Sequence, residues 1–178
     1  MENNTKKMFK LFWVWEDDKE ETWLRRQAQE GWHLVSVEPV GFYMFASGKP
    51  RDIVYRLDYV PVNKKSPDYH QLFSDAGWEY AGEYVGWQYW RKETHEGQAP
   101  EIYSDADSKV QKYRRMLGWF ILIYPLLLIS VINFGNIANR SENPIIDVIL
   151  VLMTLVLLLF TYALIRLSLR MIHLRRHL

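Results

Sequence analysis

The chain contains no cysteine. Disulfides, thiolate nucleophiles and cysteine-bearing metal centres are therefore excluded. Its opening residues, MENNTKKMFK, lack the long apolar stretch of a secretory leader before charge resumes at Glu16, so a cleaved signal peptide is not expected. Positive charge is scarce where a nucleic-acid partner would need it. Residues 1–108 carry thirteen Lys and Arg against nineteen Asp and Glu, a balance that repels phosphate and excludes a nucleic-acid-binding front domain. Catalytic patterns are missing too. His33, His70 and His95 lack metal-ligand spacing, no Ser-His-Asp set can be assembled, and no Gly-rich phosphate loop follows a strand. Neither an enzyme nor a bound cofactor or metal is expected.

Apolar length is abundant at the other end. Residues 116–134 form nineteen positions without a charge, and residues 145–165 form twenty-one whose sole charge is Asp147. About 20 apolar residues at 1.5 Å rise cross a hydrocarbon layer of roughly 30 Å, so both stretches are predicted to span a bilayer. The flanks set the direction. Lys109, Lys112, Arg114 and Arg115 precede the first stretch, Arg166, Arg170, Arg175 and Arg176 follow the second, and the connecting loop GNIANRSENP offers Arg140 alone. Positive residues stay on the cytoplasmic side, which places both termini and the acidic front region in the cytoplasm. Trp119 and Tyr162 suit headgroup depth near the cytoplasmic ends of the two spans. Pro125 is expected to remove one helical hydrogen bond and kink the first span. Asp147, within a turn of Pro144, reads as a helix-start residue held by the dipole and not as part of a transport path. The pair is an anchor in this reading, with the lipid bilayer as its partner.

The front region reads as one unit occurring twice, over residues 7–46 and 51–92 of a domain covering 1–93, with an acidic linker at 94–108 before the hairpin of 109–178. Gly77-Trp78 falls on Gly31-Trp32, and EGW at 30–32 and AGW at 76–78 each close a helix-shaped stretch that begins with acids. Each unit is strand, helix, strand, strand. Residues 7–15 and 52–60 alternate in the strand manner, grouping Phe9, Leu11, Trp13 and Trp15 on one face, and Ile53, Tyr55, Leu57 and Tyr59 on another against Arg56 and Asp58. Asp17 and Asp18 suit a helix cap, and Ser66-Pro67 supplies a second. Gly31 and Gly77 suit left-handed helix ends, and turns are expected at 39–41 and 83–86. The predicted fold class is α+β: duplicated β-α-β-β units forming antiparallel sheet with two helices on one face, followed by a two-helix transmembrane hairpin.

Rings are in surplus. Twenty of the twenty-seven Phe, Trp and Tyr residues precede position 109, more than two small helices can cover. Either they fill a small core or they line a cleft or partner surface. The candidate ligand-binding residues are Trp13, Trp15, Tyr59, Glu79, Tyr80, Glu83, Tyr84, Trp87 and Tyr89, whose ring faces and carboxylates suit a hydrophobic or cationic small molecule. Glu79 and Glu83, four apart, are expected to share a strand face.

The segments KMFKLFW at 7–13, WLxxxAxxGWxL at 23–34, YRxDYV at 55–60 and FxxAGWEY at 73–80, with the C-terminal helical hairpin, resemble the bacterial family named domain of unknown function 2812. The resemblance implies a bacterial regulatory setting, since members are often encoded beside PadR-type repressors, and it supplies no site residues. A fainter similarity, at the level of fold, is to gyrase-inhibitor-like effector domains, in which two such units form an aromatic cleft for cationic drugs. The expectation is a membrane-anchored cytosolic binding module, regulatory or stress-sensing, that takes a hydrophobic small molecule or a membrane-protein partner. Its alternative is a structural adaptor docking on a larger membrane complex through its spans.

Overall fold

Strand β1, Thr5–Phe9, is shorter than the alternation of residues 7–15 suggests. Pairing ends where the Lys10 amide donates to the Gly41 carbonyl (2.8 Å), and the chain then turns, the Glu16 amide donating to the Trp13 carbonyl (2.8 Å). Leu11, Trp13 and Trp15 therefore leave the strand face predicted for them. Leu11 and Trp13 are exposed and Trp15 is buried. The computed structural model describes residues 4–61, 68–94, 100–102 and 106–176. The chain divides into two compact units, residues 1–108 and 109–178.

Helix α1, Asp17–Gln29, takes Glu16 as its N-cap, while Asp17 and Asp18 sit in the first turn, where acids favour the dipole. Its buried face is Asp17, Glu20, Trp23, Leu24, Gln27 and Ala28, the spacing of one helical stripe. Gly31 ends the helix at φ +87°; a Cβ there would lie 2.8 Å from the Gly48 carbonyl oxygen, so glycine is required both by conformation and by space. Strands β2, Trp32–Glu38, and β3, Phe42–Ser47, follow, joined through a turn at Pro39–Gly41. β3 lies between β1 and β2 in an antiparallel sheet.

The same order of elements then recurs. Strand β4, Ile53–Tyr59, is followed by helix α2, Tyr69–Asp75, and by strands β5, Glu79–Tyr84, and β6, Trp87–Glu93; β6 lies between β4 and β5. The Ser66-Pro67 cap falls outside the described residues. Gly77 closes α2 at φ +77°. Each sheet is broken once by a bulge, between Leu34 and Ser36 in β2 and between Tyr80 and Gly82 in β5. The two bulged strands lie beside one another.

Two sets of side chains hold this unit. Ile53, Tyr55 and Leu57 from one face of β4 join Trp23, Leu24, Leu34, Phe45 and Tyr89 in the main core. Val54 from the opposite face joins Phe73, Trp78 and Trp90 in a second cluster. The helices consequently cover opposite faces of the second sheet, not one face as the sequence reading had it. Asp58, on the face of β4 opposite Ile53, Tyr55 and Leu57, is also buried and accepts a hydrogen bond from the Tyr69 hydroxyl (3.0 Å). Rings supply the area that a short α2 cannot: each can bury roughly 150–250 Å², which at about 25 cal/mol per Å² is several kcal/mol before entropy is counted. The open edge of β4 is closed by α1, whose Glu21 accepts from the Leu57 amide (2.8 Å) and from Arg56 (3.2 Å).

The second unit holds helix α3, Ala106–Ala138, from residue 109 onward, and helix α4, Pro144–Arg176. α3 runs through Pro125 as one helix. Asn143 starts α4, its Oδ1 accepting from the Ile145 amide (3.0 Å), and Asp147 falls in the first turn. The two helices meet at Phe120 and Phe160 (5.1 Å between rings), Thr161 and Tyr124 (3.2 Å), and Arg170 and Tyr113 (2.8 Å). Leu122, Leu126 and Leu158 point outward, each at least 60% exposed. Helices this long and apolar, with their greasy faces outside, fit a membrane hairpin.

Candidate functional site

The carboxyl group of Glu20 is buried under α1 and accepts two hydrogen bonds at one oxygen, from the Tyr43 hydroxyl of β3 (2.8 Å) and the Tyr89 hydroxyl of β6 (2.7 Å). Burial raises its pKa above the usual value. The two tyrosine hydrogen bonds act in the opposite direction, and Asp17 adds to the rise. The tyrosines respond in kind: burial first, and the Glu20 charge next, push both phenols well above their ordinary range. This is a polar centre held by three elements inside an aromatic core.

Above it lies a groove of about 460 Å³ lined by Lys10, Leu11, Phe12, Glu16, Asp18 and Trp23, with Lys19, Thr22 and Arg26 at its sides. Trp23 forms the floor and connects groove to centre, its ring 4.9 Å from that of Tyr43. Phe12 leans on Trp23 at 5.7 Å. The ammonium group of Lys10 rests over both rings, 5.5 Å from the Phe12 centroid and 5.3 Å from that of Trp23. Two ring faces already hold the Lys10 cation; Glu16 and Asp18 lie in the same lining, Glu16 paired with Lys19.

The residues singled out from sequence are distributed, not gathered into one cleft. Trp13 and Trp15 stack on each other, 5.3 Å apart with their planes parallel to within 1°. Tyr59 meets Trp87 edge-on (5.6 Å), and Tyr84 and Trp87 pack against the main core. Tyr80 lies on the far face with His70 (4.8 Å) and Trp90 (5.5 Å). Burial and then the Glu83 carboxylate push the Tyr80 phenol up to about 12. Tyr89 alone reaches the polar centre.

Glu79 and Glu83 do not share a face. The bulge at Tyr80 and Gly82 sets Glu79 opposite Arg91 and Glu83 opposite Gln88, and residues three apart on β6 point to opposite sides. Glu79 accepts from Arg91 (3.0 Å) and Glu83 from Gln88 (3.0 Å).

Lys10, Phe12, Glu20, Trp23 and Tyr43 were missed as site residues. Glu20 sits in DDKEE, which reads as a solvated helix start; yet it is three and four residues before Trp23 and Leu24, on the stripe that had to be buried. Among the described residues no group of three or more His, Asp or Glu is placed to hold a metal ion.

An α+β domain of two antiparallel sheets, joined to a pair of helices long and apolar enough to cross a membrane, defines the class of this protein. Within that class the chain belongs to the family described as protein of unknown function 2812, whose model matches residues 16–124. The match begins at the N-cap of α1 and ends inside α3. No curated protein and no solved structure matches the chain.

Proposed function

We propose that this protein is a membrane-anchored binding module, with its first unit in the cytoplasm of a bacterium, that takes a lipophilic cation in the groove over Phe12 and Trp23 and has a regulatory or stress-sensing role. The observation that carries the reading is the Lys10 ammonium, seated over both rings as an internal stand-in for such a ligand. Asp18 in the lining suits a positive guest, Glu16 being paired with Lys19, and the rings supply apolar surface. The basic flanks of both helices favour the cytoplasmic placement of the groove. The PadR-type repressors that the family resemblance implies as neighbours would give a sensor of this kind something to report to.

Titration of the full chain in detergent with tetraphenylphosphonium, followed by tryptophan fluorescence, tests this. Saturable quenching is expected. Lys10→Met removes the internal competitor and should tighten binding by about two- to fivefold, the worth of one exposed cation–ring contact; Phe12→Leu should weaken it. A flat response from a folded chain would turn the assignment toward an adaptor that docks on a larger membrane complex through its helices.

A further inference from the structure

The turn between β1 and α1 and the hairpin between β2 and β3 bring a set of exposed apolar side chains together at one end of the first sheet. Phe9 is 57% exposed, Leu11 64%, Trp13 53% and Val40 68%. Phe9, Leu11 and Val40 meet around Gly41 and Phe42, and Trp13 lies two residues beyond Leu11 in the chain. The Phe9 ring lies 5.1 Å from that of Phe42, and Leu11 covers Gly41 so closely that a Cβ there would meet Leu11 Cδ2 at 2.8 Å, between Val40 and Phe42 in the chain. Trp13 follows, held rigid by its parallel stack on the buried Trp15. Lys7 and Lys10 flank the patch: Lys7 sits over Phe42 (4.7 Å) and pairs with Glu38, and Lys10 sits over Phe12 and Trp23.

Exposed aliphatic and aromatic side chains, an indole at the margin and lysines whose ammonium groups rest on rings are the composition of a surface that enters lipid headgroups. The same chain carries two helices that fit a membrane hairpin, so a bilayer is tethered to this domain at high effective concentration and a small apolar contact suffices. We propose that the tip formed by Phe9, Leu11, Trp13 and Val40 inserts into the headgroup region of the membrane that α3 and α4 cross. The proposal rests on those helices spanning a bilayer and is independent of what the groove binds. Leu11 and Lys10 also line that groove, so insertion sets its mouth at the lipid surface, where lipophilic cations collect.

Absence of cysteine permits a direct test on the whole chain. Single cysteines at Leu11, at Leu72 on α2 and at Ile129 within α3, all exposed, are labelled with an environment-sensitive fluorophore and reconstituted in vesicles of phosphatidylcholine and phosphatidylglycerol. The Leu11 label should emit to the blue and be quenched by lipids carrying a nitroxide at the headgroup, whereas the Leu72 label should remain water-like. Quenching at Ile129 by a nitroxide deep in the acyl chain checks the span. A water-like Leu11 label beside a quenched Ile129 label would overturn the insertion and leave the anchor standing. An Ile129 label untouched by deep nitroxide would overturn both. A blue-shifted Leu11 label that headgroup nitroxide does not quench would overturn lipid as the occupant and point to a second copy of the chain.

Discussion

Glu20 on α1 and Tyr89 on β6 stand sixty-nine residues apart in sequence and 2.7 Å apart through a hydrogen bond. Tyr43 donates to the same oxygen from the other sheet, so a single carboxyl ties the helix to both sheets. Burial of that group has a cost that depends on pH.

Glu20→Gln measures it. The folded state raises the Glu20 pKa above its ordinary 4.5, so protonation favours the fold. The contribution is fully present below the unfolded value and is lost as pH rises through the folded one. Thermal melts of wild type and Glu20→Gln should nearly coincide near pH 4, and the glutamine variant should gain relative stability toward neutrality. A constant offset across the range would mean that Glu20 does not titrate with folding.

Asp52 behaves in the opposite sense. Arg25 grips it with two hydrogen bonds (2.6 and 2.7 Å), and Gln29 and Thr94 add further donors. Chiefly through Arg25, the carboxyl is held well below its usual range. Its stabilisation is present above the unfolded value of 3.8 and is lost as pH falls through the folded one. Asp52→Asn should lower stability by about 1 kcal/mol at neutral pH, since the pair is only partly buried. The deficit should shrink in acid, as read from denaturation midpoints at several pH values.

Gly31→Ala tests the end of α1. The left-handed conformation at φ +87° and the approach of the Gly48 carbonyl both penalise a side chain there. A loss of about 1–3 kcal/mol is expected in the same melts. At Leu72, exposed on α2, Leu→Ala should change stability by less than about 1 kcal/mol.

Topology gives the remaining test. Ser141 lies in the turn between α3 and α4, and Leu72 in the first unit. In intact cells a membrane-impermeant maleimide should label Ser141→Cys and spare Leu72→Cys until the membrane is opened. The reverse pattern would place the first unit outside.

Much of the fold was legible because it follows from local physics. The two apolar runs need no partner information: their length alone makes helices that water cannot solvate. Gly31 and Gly77 announced left-handed helix ends and occupy them, because a residue without Cβ is needed wherever the chain turns that way. The alternation of Ile53, Tyr55 and Leu57 announced a shared strand face, which lies in the core. It was silent about the other face, since period two labels sides without saying which is wet.

The site resisted reading for the same reason. A bulge after Tyr80 sends Glu79 and Glu83 to opposite faces, and nothing in the spacing of two glutamates reveals that one ladder hydrogen bond is skipped. Glu20 looks solvated in a run of acids until Tyr43 and Tyr89 arrive from separate sheets to satisfy it. Sequence by itself determined the two apolar helices, the alternation of β4 and the glycine stops, because each is settled among neighbours in the chain. Only the tertiary structure decided which carboxyl is buried, which rings form a groove floor and which stay in water, because those outcomes depend on contacts between residues far apart in sequence.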